Sequence, residues 1–487
     1  MKRYFIITTI LFAFMFASCD EFLDVNVDPN NPTEVTPDLI LPVAQTYTAD
    51  INWASPYGNQ RGSNHLGNMM MFNWGETFGF SWYDTEFKYL VTSTFYANLF
   101  DHAYYNALKQ YSALDDLDSK YGNYKAISKI MKSYHFELLV DMYGDVPYSE
   151  ALKRGSNPTP KYDKAEDIYK DLMVQLTSAV AMIDSMAGAD VSVVPGSDDV
   201  MFGGDMTMWK QFANTLKVRM LNRAKGSFDA NAELSTIAAE GSGFITADVA
   251  VQPGYLVEEG KQNPFWNDLG WNVGGNVKLT NDATCATQYI LGYLTNTNDT
   301  RIDFIYEKPE DGHLGVDQGE EATEDQNADH VSNIGPGILK SATMGTVIFT
   351  LAESDFNQAE LALDGFGSGD AEALYYAGIE ASFAYLGAGS SSSYASQGVE
   401  NISYAASTDK REAIITQKWI ALNGVDAIQS WFDYSRTGYP RNLPVSADAS
   451  TPDRPVRLFY PSSEVTGNTI NLPSQPNAFT DKIFWAN

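Results

Sequence analysis

Residues 417–440, QKWIALNGVDAIQSWFDYSRTGYP, carry the strongest indication of the fold. Trp419, Trp431 and Phe432 fall at helical spacing within this stretch, and large aromatic side chains at that spacing usually belong to a core. We predict a helix over residues 409–435 whose aromatic rings face the interior. These rings are therefore expected to pack in the scaffold and not to bind a ligand.

Helical periodicity also dominates the chain before this stretch. Between Tyr124 and Met142 apolar residues recur every three or four positions, and Gly144 and Pro147 follow as they do at a helix C-terminus. The remaining predicted helices cover residues 168–183, 209–220, 95–118, 345–364 and 370–386, with a loop at 190–206. Several of these helices come in pairs with short turns, although the full repeat consensus is absent. The predicted fold class is mainly α: tetratricopeptide-like helix hairpins form one compact domain with long irregular loops and minor β-hairpins.

Cys19 ends a hydrophobic leader that begins with Lys2 and Arg3 and has two small residues directly before the cysteine. This is the layout of a secretory signal, and the apolar run is too short for a stable membrane span. The cysteine in this place resembles the lipobox of bacterial lipoproteins. We predict a signal peptide over residues 1–18 and lipidation of Cys19, which would anchor the chain to a membrane without spanning it. An ordinary cleaved signal with a chance cysteine is the alternative.

The rest of the chain divides into a short tether and one domain. Residues 19–38 are predicted to be the lipidated N-terminus and a tether, because prolines among alternating Asp and Asn residues prevent a helix of useful length. The tether imitates half of an EF-hand, but Pro29 and Val35 stand where that loop needs Gly and Glu, which argues against calcium. Residues 39–487 are predicted to form a single helical domain, with a loop-rich insertion at 250–340.

Composition excludes some partners. The chain has 62 acidic and 32 basic residues, a net charge of −30, which repels phosphate backbones and anionic lipid headgroups. We therefore expect no nucleic-acid binding. Aromatic residues make up 13% of the chain, and Tyr and Trp combine an apolar face with a polar edge. Cys285 has no partner for a disulfide after Cys19 is lipidated, and it is predicted to be a small buried hydrophobic residue.

Motifs of common enzymes are missing from the sequence. It contains no G-x-S-x-G, G-x-G-x-x-G, Walker or H-E-x-x-H motif, and its five histidines lack metal-ligand spacing. We predict a binding protein without catalytic residues, cofactor or metal. A glycosidase needs only two carboxylates roughly 5 to 10 Å apart, so a surface glycoside hydrolase stays open as an alternative.

Four stretches together resemble the SusD/RagB family of nutrient-binding outer-membrane lipoproteins of Bacteroidota. The first is the opening stretch at 417–440. The others are residues 141–151 (DMYGDVPYSEA), 351–361 (LAESDFNQAEL) and 457–464 (RLFYPSSE). Each stretch is weak evidence alone, but four in order behind a lipobox are specific. The resemblance covers essentially all of residues 19–487.

The resemblance implies both a fold and a function. It implies tetratricopeptide-like helix hairpins, capture of oligosaccharides without catalysis, and a position over a TonB-dependent (SusC-like) transporter in the outer membrane. The acidic pair Asp20 and Glu21 resembles the signal that sends such lipoproteins to the cell surface. Within the family-like stretches, Asp145, Arg436 and Arg457 are expected to cap helices, form ion pairs or brace loops, and not to touch the ligand.

Sugar binding requires exposed aromatic faces beside amides and carboxylates, and two loop-like segments offer them. These are residues 72–84 (FNWGETFGFSWYD) and 263–272 (NPFWNDLGWN). The predicted ligand-binding residues are Trp74, Trp82, Tyr83, Trp266, Asn267 and Trp271. The alternative for each aromatic ring is a place in a small core beneath the loops. Oligopeptides instead of oligosaccharides are the alternative cargo.

Overall fold

The computed structural model describes residues 36–53 and 61–486. The predicted signal peptide, Cys19, the calcium-like loop and the tether up to residue 35 lie outside the described residues. Of the helices that the structure describes, none combines the length and the hydropathy needed to cross a membrane.

Helices dominate the described chain, and the predicted mainly-α fold class is confirmed. In chain order the α-helices are α1 Pro37–Asn52, α2 Ser63–Met70, α3 Asp84–Phe87, α4 Ala97–His102, α5 Lys109–Ala113, α6 Gly122–Tyr143, α7 Ala165–Ala187, α8 Met206–Arg223, α9 Ala230–Glu240, α10 Pro264–Leu269, α11 Leu279–Ala283, α12 Gln288–Asn296, α13 Ile302–Ile305, α14 Leu351–Leu363, α15 Ala371–Leu386, α16 Ser392–Ala395, α17 Lys410–Leu422, α18 Ala427–Thr437 and α19 Ser462–Gly467. A π-helix, Ala103–Leu108, joins α4 to α5, so the helix predicted at 95–118 is continuous but not regular.

Short strands add three two-stranded antiparallel sheets within the described residues. The strands are β1 Trp74–Glu76, β2 Val146–Pro147, β3 Tyr162–Asp163, β4 Val249–Val251, β5 Thr284–Ala286 and β6 Thr346–Phe349. β1 pairs with β5, β2 with β3, and β4 with β6. The sheets join segments that are distant in the sequence, so they fix loops onto the helical scaffold.

The helices pack as hairpins. α6 packs against α7, which in turn packs against α8. A second hairpin is formed by α14 and α15, and α17 packs against both of these helices. α6 ends where the sequence predicts, because Gly144 takes a positive φ of 77° that terminates the helix. The apolar faces of α6, α7 and α8 belong to a hydrophobic core with members from Ile40 to Ala486, and most of those of α14, α15 and α17 form a second cluster around Phe356 and Ile379.

Two of the predicted helices are divided. The predicted helix at 409–435 is two helices, α17 and α18, because Asn423 leaves the helical conformation and Gly424 adopts a φ of 75°. Trp419, Trp431 and Phe432 are buried, as predicted. The predicted helix at 345–364 begins as strand β6, whose four residues are buried, and becomes helical only after Thr350 caps α14.

Two further predictions need correction. The tether was expected to continue to residue 38, but α1 begins at Pro37. Proline is tolerated at the first helical position because a backbone N–H there would have no acceptor within the helix. The segment 250–340, predicted as a loop-rich insertion, contains α10 to α13 and strand β5. Its residues Phe265, Ile290 and Leu294 lie in the main core, so this segment is part of the scaffold.

Buried ion pairs connect the helices. Arg219 of α8 binds Glu137 of α6 at 2.7 Å, and Arg223 contacts both Glu137 and Asp141. All four side chains are almost fully buried. Forming such an ion pair costs desolvation energy. Removing one partner leaves an uncompensated buried charge, so the pairs favour the one placement of the helices in which every charge is paired.

Candidate ligand-binding site

The two aromatic segments singled out in the sequence lie side by side. Strand β1 pairs with β5, and the Thr77 backbone N–H donates to the Ala283 carbonyl at 3.1 Å. The Trp74 ring stacks on Phe265, with ring centres 6.4 Å apart and planes 20° from parallel. Residues about 190 positions apart in sequence are therefore neighbours in this part of the molecule.

Trp74 and Tyr83 are buried beneath this region. Their exposed fractions are 0% and 1%, and the Tyr83 hydroxyl shares a hydrogen bond of 2.5 Å with the Thr284 hydroxyl. A ring without exposed surface offers no face to a sugar. The prediction of direct ligand contact by these two residues is corrected: they support the segments from below as members of the main hydrophobic core.

Trp82 remains on the surface. Its exposed fraction is 40%, and it meets Phe80 edge to face at 4.9 Å. The backbone around it is fixed, since its N–H donates to Glu76 and its carbonyl accepts from Arg61. Trp82 is therefore an exposed ring on a restrained loop.

Trp266 and Trp271, both in the second aromatic segment, form a pair of neighbouring rings. Their ring centres are 4.8 Å apart with planes at 40°, and both rings are half-buried. The Asn263 side chain fixes the start of α10 by accepting from the Phe265 and Trp266 backbone N–H groups. Asn267 follows Trp266 in the same helix and is also half-buried. Trp82, Trp266, Asn267 and Trp271 thus keep surface that a ligand can reach, and we call this region the aromatic surface.

Two carboxylates lie beside the aromatic surface. Burial raises the pKa of Asp268 to about 6, and the charges of Arg61 and Lys278 lower it only in part. Burial also raises the pKa of Glu76, against the effect of hydrogen bonds from the Trp82 and Tyr83 backbone. Both carboxylates act electrostatically on the Tyr83 hydroxyl, which lies beneath this region. Carboxylates in this position can accept hydrogen bonds from sugar hydroxyls.

Arg61 holds this region together, and no sequence pattern predicted this role. Its guanidinium pairs with Glu86 at 2.5 Å and lies over the Tyr83 ring at 4.5 Å. It also donates to the Trp82 carbonyl at 3.0 Å. An isolated arginine in a Gly-rich stretch is not distinctive in a sequence, because its role depends on partners more than 20 residues away.

Two cavities of about 540 and 320 Å³ lie elsewhere among the described residues, and none of the six predicted residues lines them. Within residues 36–53 and 61–486, no three His, Cys, Asp or Glu side chains are placed to hold a metal ion. Aromatic faces, an amide and two carboxylates are what this surface offers to a ligand.

Comparison with known proteins identifies the family. A sequence model of the SusD-like family, described as starch-binding and associating with the outer membrane, matches residues 29–461. The chain belongs to the SusD-like family. This confirms the resemblance carried by the four sequence stretches.

Solved structures of SusD homologues share the fold. A chitin-binding SusD homologue from Flavobacterium johnsoniae is 22% identical, with a TM-score of 0.75 over 92% of this chain and 98% of its own. A SusD homologue from Bacteroides fragilis is 19% identical, with a TM-score of 0.73 over 93% and 99% of the two chains. One from Bacteroides thetaiotaomicron is 21% identical, with a TM-score of 0.69 over 93% and 99%. A search of curated proteins found no match.

The SusD-like stretches build the scaffold, as expected. The Asp145 carboxylate accepts from the Ala165 backbone N–H at 2.9 Å and so caps α7, while also binding Lys164 at 2.7 Å. Arg436 pairs with Glu360, and Arg457 donates to the Tyr143 carbonyl at the end of α6. These residues hold helices and turns together and do not line the aromatic surface.

Proposed function

We propose that this SusD-like protein captures oligosaccharides at the aromatic surface for import through a TonB-dependent, SusC-like transporter of the outer membrane. We further propose that it is held at the cell surface by a lipid on Cys19 and that it binds without catalysing a reaction. The proposal is carried by the half-buried pair of Trp266 and Trp271 on either side of Asp268 in the chain, and by the exposed Trp82, whose backbone N–H donates to the Glu76 carboxylate.

The family supports the same cargo. Its description is starch-binding, and one structural relative is described as chitin-binding. Both ligands are polymers of hexoses, whose rings have apolar C–H faces and hydroxyl edges. An aromatic surface beside hydrogen-bond acceptors matches both parts of such a ligand.

The expected affinity is modest. If each reachable ring contributed about 1 kcal/mol of stacking and each net hydrogen bond about 1 kcal/mol, the dissociation constant would be about millimolar to tens of micromolar. Such an affinity suits a protein that must release its cargo to a transporter.

A glycan array on the fragment 20–487 tests the function, with a peptide library as the competing arm. We expect retention of oligosaccharides, and loss of that retention when Trp82, Trp266 and Trp271 are all replaced by Ala. Tyr105→Ala is the matched control, since Tyr105 is 75% exposed on the distant π-helix. Binding of peptides alone, or glycan retention unchanged in the triple variant, would contradict the proposal. Release of reducing ends would favour the hydrolase instead.

A further inference from the structure

A cavity of about 540 Å³ lies between helices α6 and α7, the end of α5 and the segment 148–156. Its volume is within the range of roughly 300–1,000 Å³ that is typical of small-molecule sites. It does not touch the aromatic surface, because none of the residues of that surface is among its lining residues. The proposed capture of oligosaccharides therefore does not use it.

Basic side chains line this cavity, although the chain as a whole has almost twice as many acidic as basic residues. Lys129, Lys132 and Lys153 all contribute to the wall. Lys129 and Lys132 are three positions apart in α6, with Phe136 one turn further, so these side chains share a helix face. The wall of the cavity therefore holds three ammonium groups and two carboxylates, Asp115 and Asp116.

Lys129 is held in place by uncharged and indirect partners. Its ammonium donates to the Gln175 amide oxygen at 2.6 Å, and the Gln175 amide nitrogen donates to Asp171 at 3.2 Å. The Tyr148 hydroxyl also donates to Asp171. Burial and the positive charge of Lys132 lower the pKa of Lys129, and the negative charges of Asp115 and Asp171 offset this only in part. An anionic oxygen at this ammonium would relieve both effects.

The other charged groups of the cavity are arranged differently. Lys132 forms an ion pair with Asp115, which also accepts from the Ser128 hydroxyl at 2.8 Å. Asp116 is exposed, and Ser112 and Ser133 also contribute to the lining. The cavity thus offers an oriented ammonium beside carboxylate and hydroxyl groups that can bind ligand hydroxyls.

We propose that this cavity is a second binding site, which takes a saccharide unit carrying a carboxylate or sulfate group. The acidic group binds the ammonium of Lys129, and the sugar hydroxyls donate to Asp116 and exchange hydrogen bonds with the serine hydroxyls. An acidic peptide fits less well, because it offers carboxylates but no sugar hydroxyls for Asp116 and the serine hydroxyls. A neutral saccharide leaves Lys129 without an anionic partner.

Calorimetry on the full-length chain in detergent tests the site. The probes are trigalacturonate, a trisaccharide of galactose 6-sulfate, neutral galactotriose and triglutamate. We expect one or both acidic trisaccharides to bind, which distinguishes carboxylate from sulfate, and Lys129→Met to weaken that binding about tenfold, the loss of one charge-assisted hydrogen bond. Lys125→Met is the matched control, one turn earlier in α6 and outside the cavity lining.

The outcomes separate this site from the aromatic surface. Binding of the acidic trisaccharides should survive Trp266→Ala with Trp271→Ala, whichever glycan the aromatic surface takes. Lys129→Gln, which keeps a polar side chain, serves as a second variant if Lys129→Met unfolds. The proposal is overturned if no acidic trisaccharide binds, if galactotriose or triglutamate binds equally well through Lys129, or if the Lys129 variants bind like Lys125→Met.

Discussion

Arg436 donates to both carboxylate oxygens of Glu360, at 2.6 and 2.7 Å, in the buried space between α18 and α14. Burial by itself raises the pKa of Glu360, but Arg436, Lys225 and Arg411 outweigh it and hold the pKa well below its usual range. Two of the SusD-like stretches, 351–361 and 417–440, are thus joined by one bidentate ion pair.

Replacing Arg436 by Met should destabilise the fold by ~3–5 kcal/mol, because it leaves the Glu360 carboxylate buried without its closest partner. Urea denaturation of the fragment 20–487 measures the change. Arg436→Lys should also be costly, since an ammonium cannot reproduce the two parallel hydrogen bonds. The double variant Arg436→Met with Glu360→Gln should lose less unfolding free energy than the sum of the losses in the two single variants. Additive losses would show that the two residues are not coupled.

Substitution by alanine should affect glycan binding at Trp82 and fold stability at Trp74. Trp82 is 40% exposed, so Trp82→Ala should weaken glycan binding several-fold and leave the melting temperature nearly unchanged. Trp74 is fully buried against Phe265, so Trp74→Ala should cost ~3–5 kcal/mol of stability. Affinity gels and thermal melts on the same samples separate the two effects. A stable Trp74→Ala variant with weakened binding would return Trp74 to the ligand-contacting set.

Much of the scaffold follows from local sequence, because helical periodicity in segments such as α6 and α7 is strong and their ends carry glycine or proline. Sequence reasoning could not predict the effects of segments that are distant in the sequence but packed together in the fold. Residues 346–349 pair with β4 from about 100 positions away, which overrides the expected helix. The division between α17 and α18 depends on Gly424, where a side chain would press against Ile338.

The candidate site shows the same limit. Of the five aromatic residues predicted to contact a ligand, Trp82, Trp266 and Trp271 retain exposed surface. Sequence alone cannot tell which ring of a segment faces inward, and Trp74 and Tyr83 are turned inward by the pairing of β1 with β5. The cavity at Lys129 was not foreseen, because its lining comes from four separate segments.

Glycan binding should weaken as the pH falls below about 6, if Asp268 accepts a sugar hydroxyl. Burial raises the pKa of Asp268 to about 6, so the carboxylate takes up a proton in that range and loses acceptor capacity. Asp268→Asn should bind with little change between pH 5 and pH 7, apart from any contribution of Glu76, whose pKa is also raised. Calorimetry at both pH values makes the comparison. An unchanged pH profile in Asp268→Asn would remove Asp268 from the site.

Asp426 should make the fold less stable as the pH rises. Burial and the nearby charge of Glu353 raise its pKa to about 8, despite Arg219 and Arg223. The folded protein therefore keeps a proton that the unfolded chain releases near pH 4, and the stabilisation is lost as pH rises from about 4 through 8. Between pH 5 and pH 8, the free energy of unfolding should fall by at least ~1 kcal/mol less in Asp426→Asn than in the parent protein. Equal losses in urea denaturation would contradict this assignment.

Gly67 permits a close approach of helices α2 and α18. A Cβ placed on Gly67 would lie 2.1 Å from the Ile428 backbone nitrogen and 2.2 Å from the Ala427 carbonyl carbon, at the start of α18. Backbone cannot yield as a flexible side chain does, so Gly67→Ala should destabilise the fold by at least ~2–3 kcal/mol through overpacking. Gly292→Ala is the matched control, because Gly292 is also helical and has no atom within 4 Å of the added carbon. That variant should be neutral or up to ~1 kcal/mol more stable, since alanine favours the helix. Equal urea midpoints for the two variants would mean that α2 and α18 separate without cost, and that this contact does not fix the 417–440 stretch in the core.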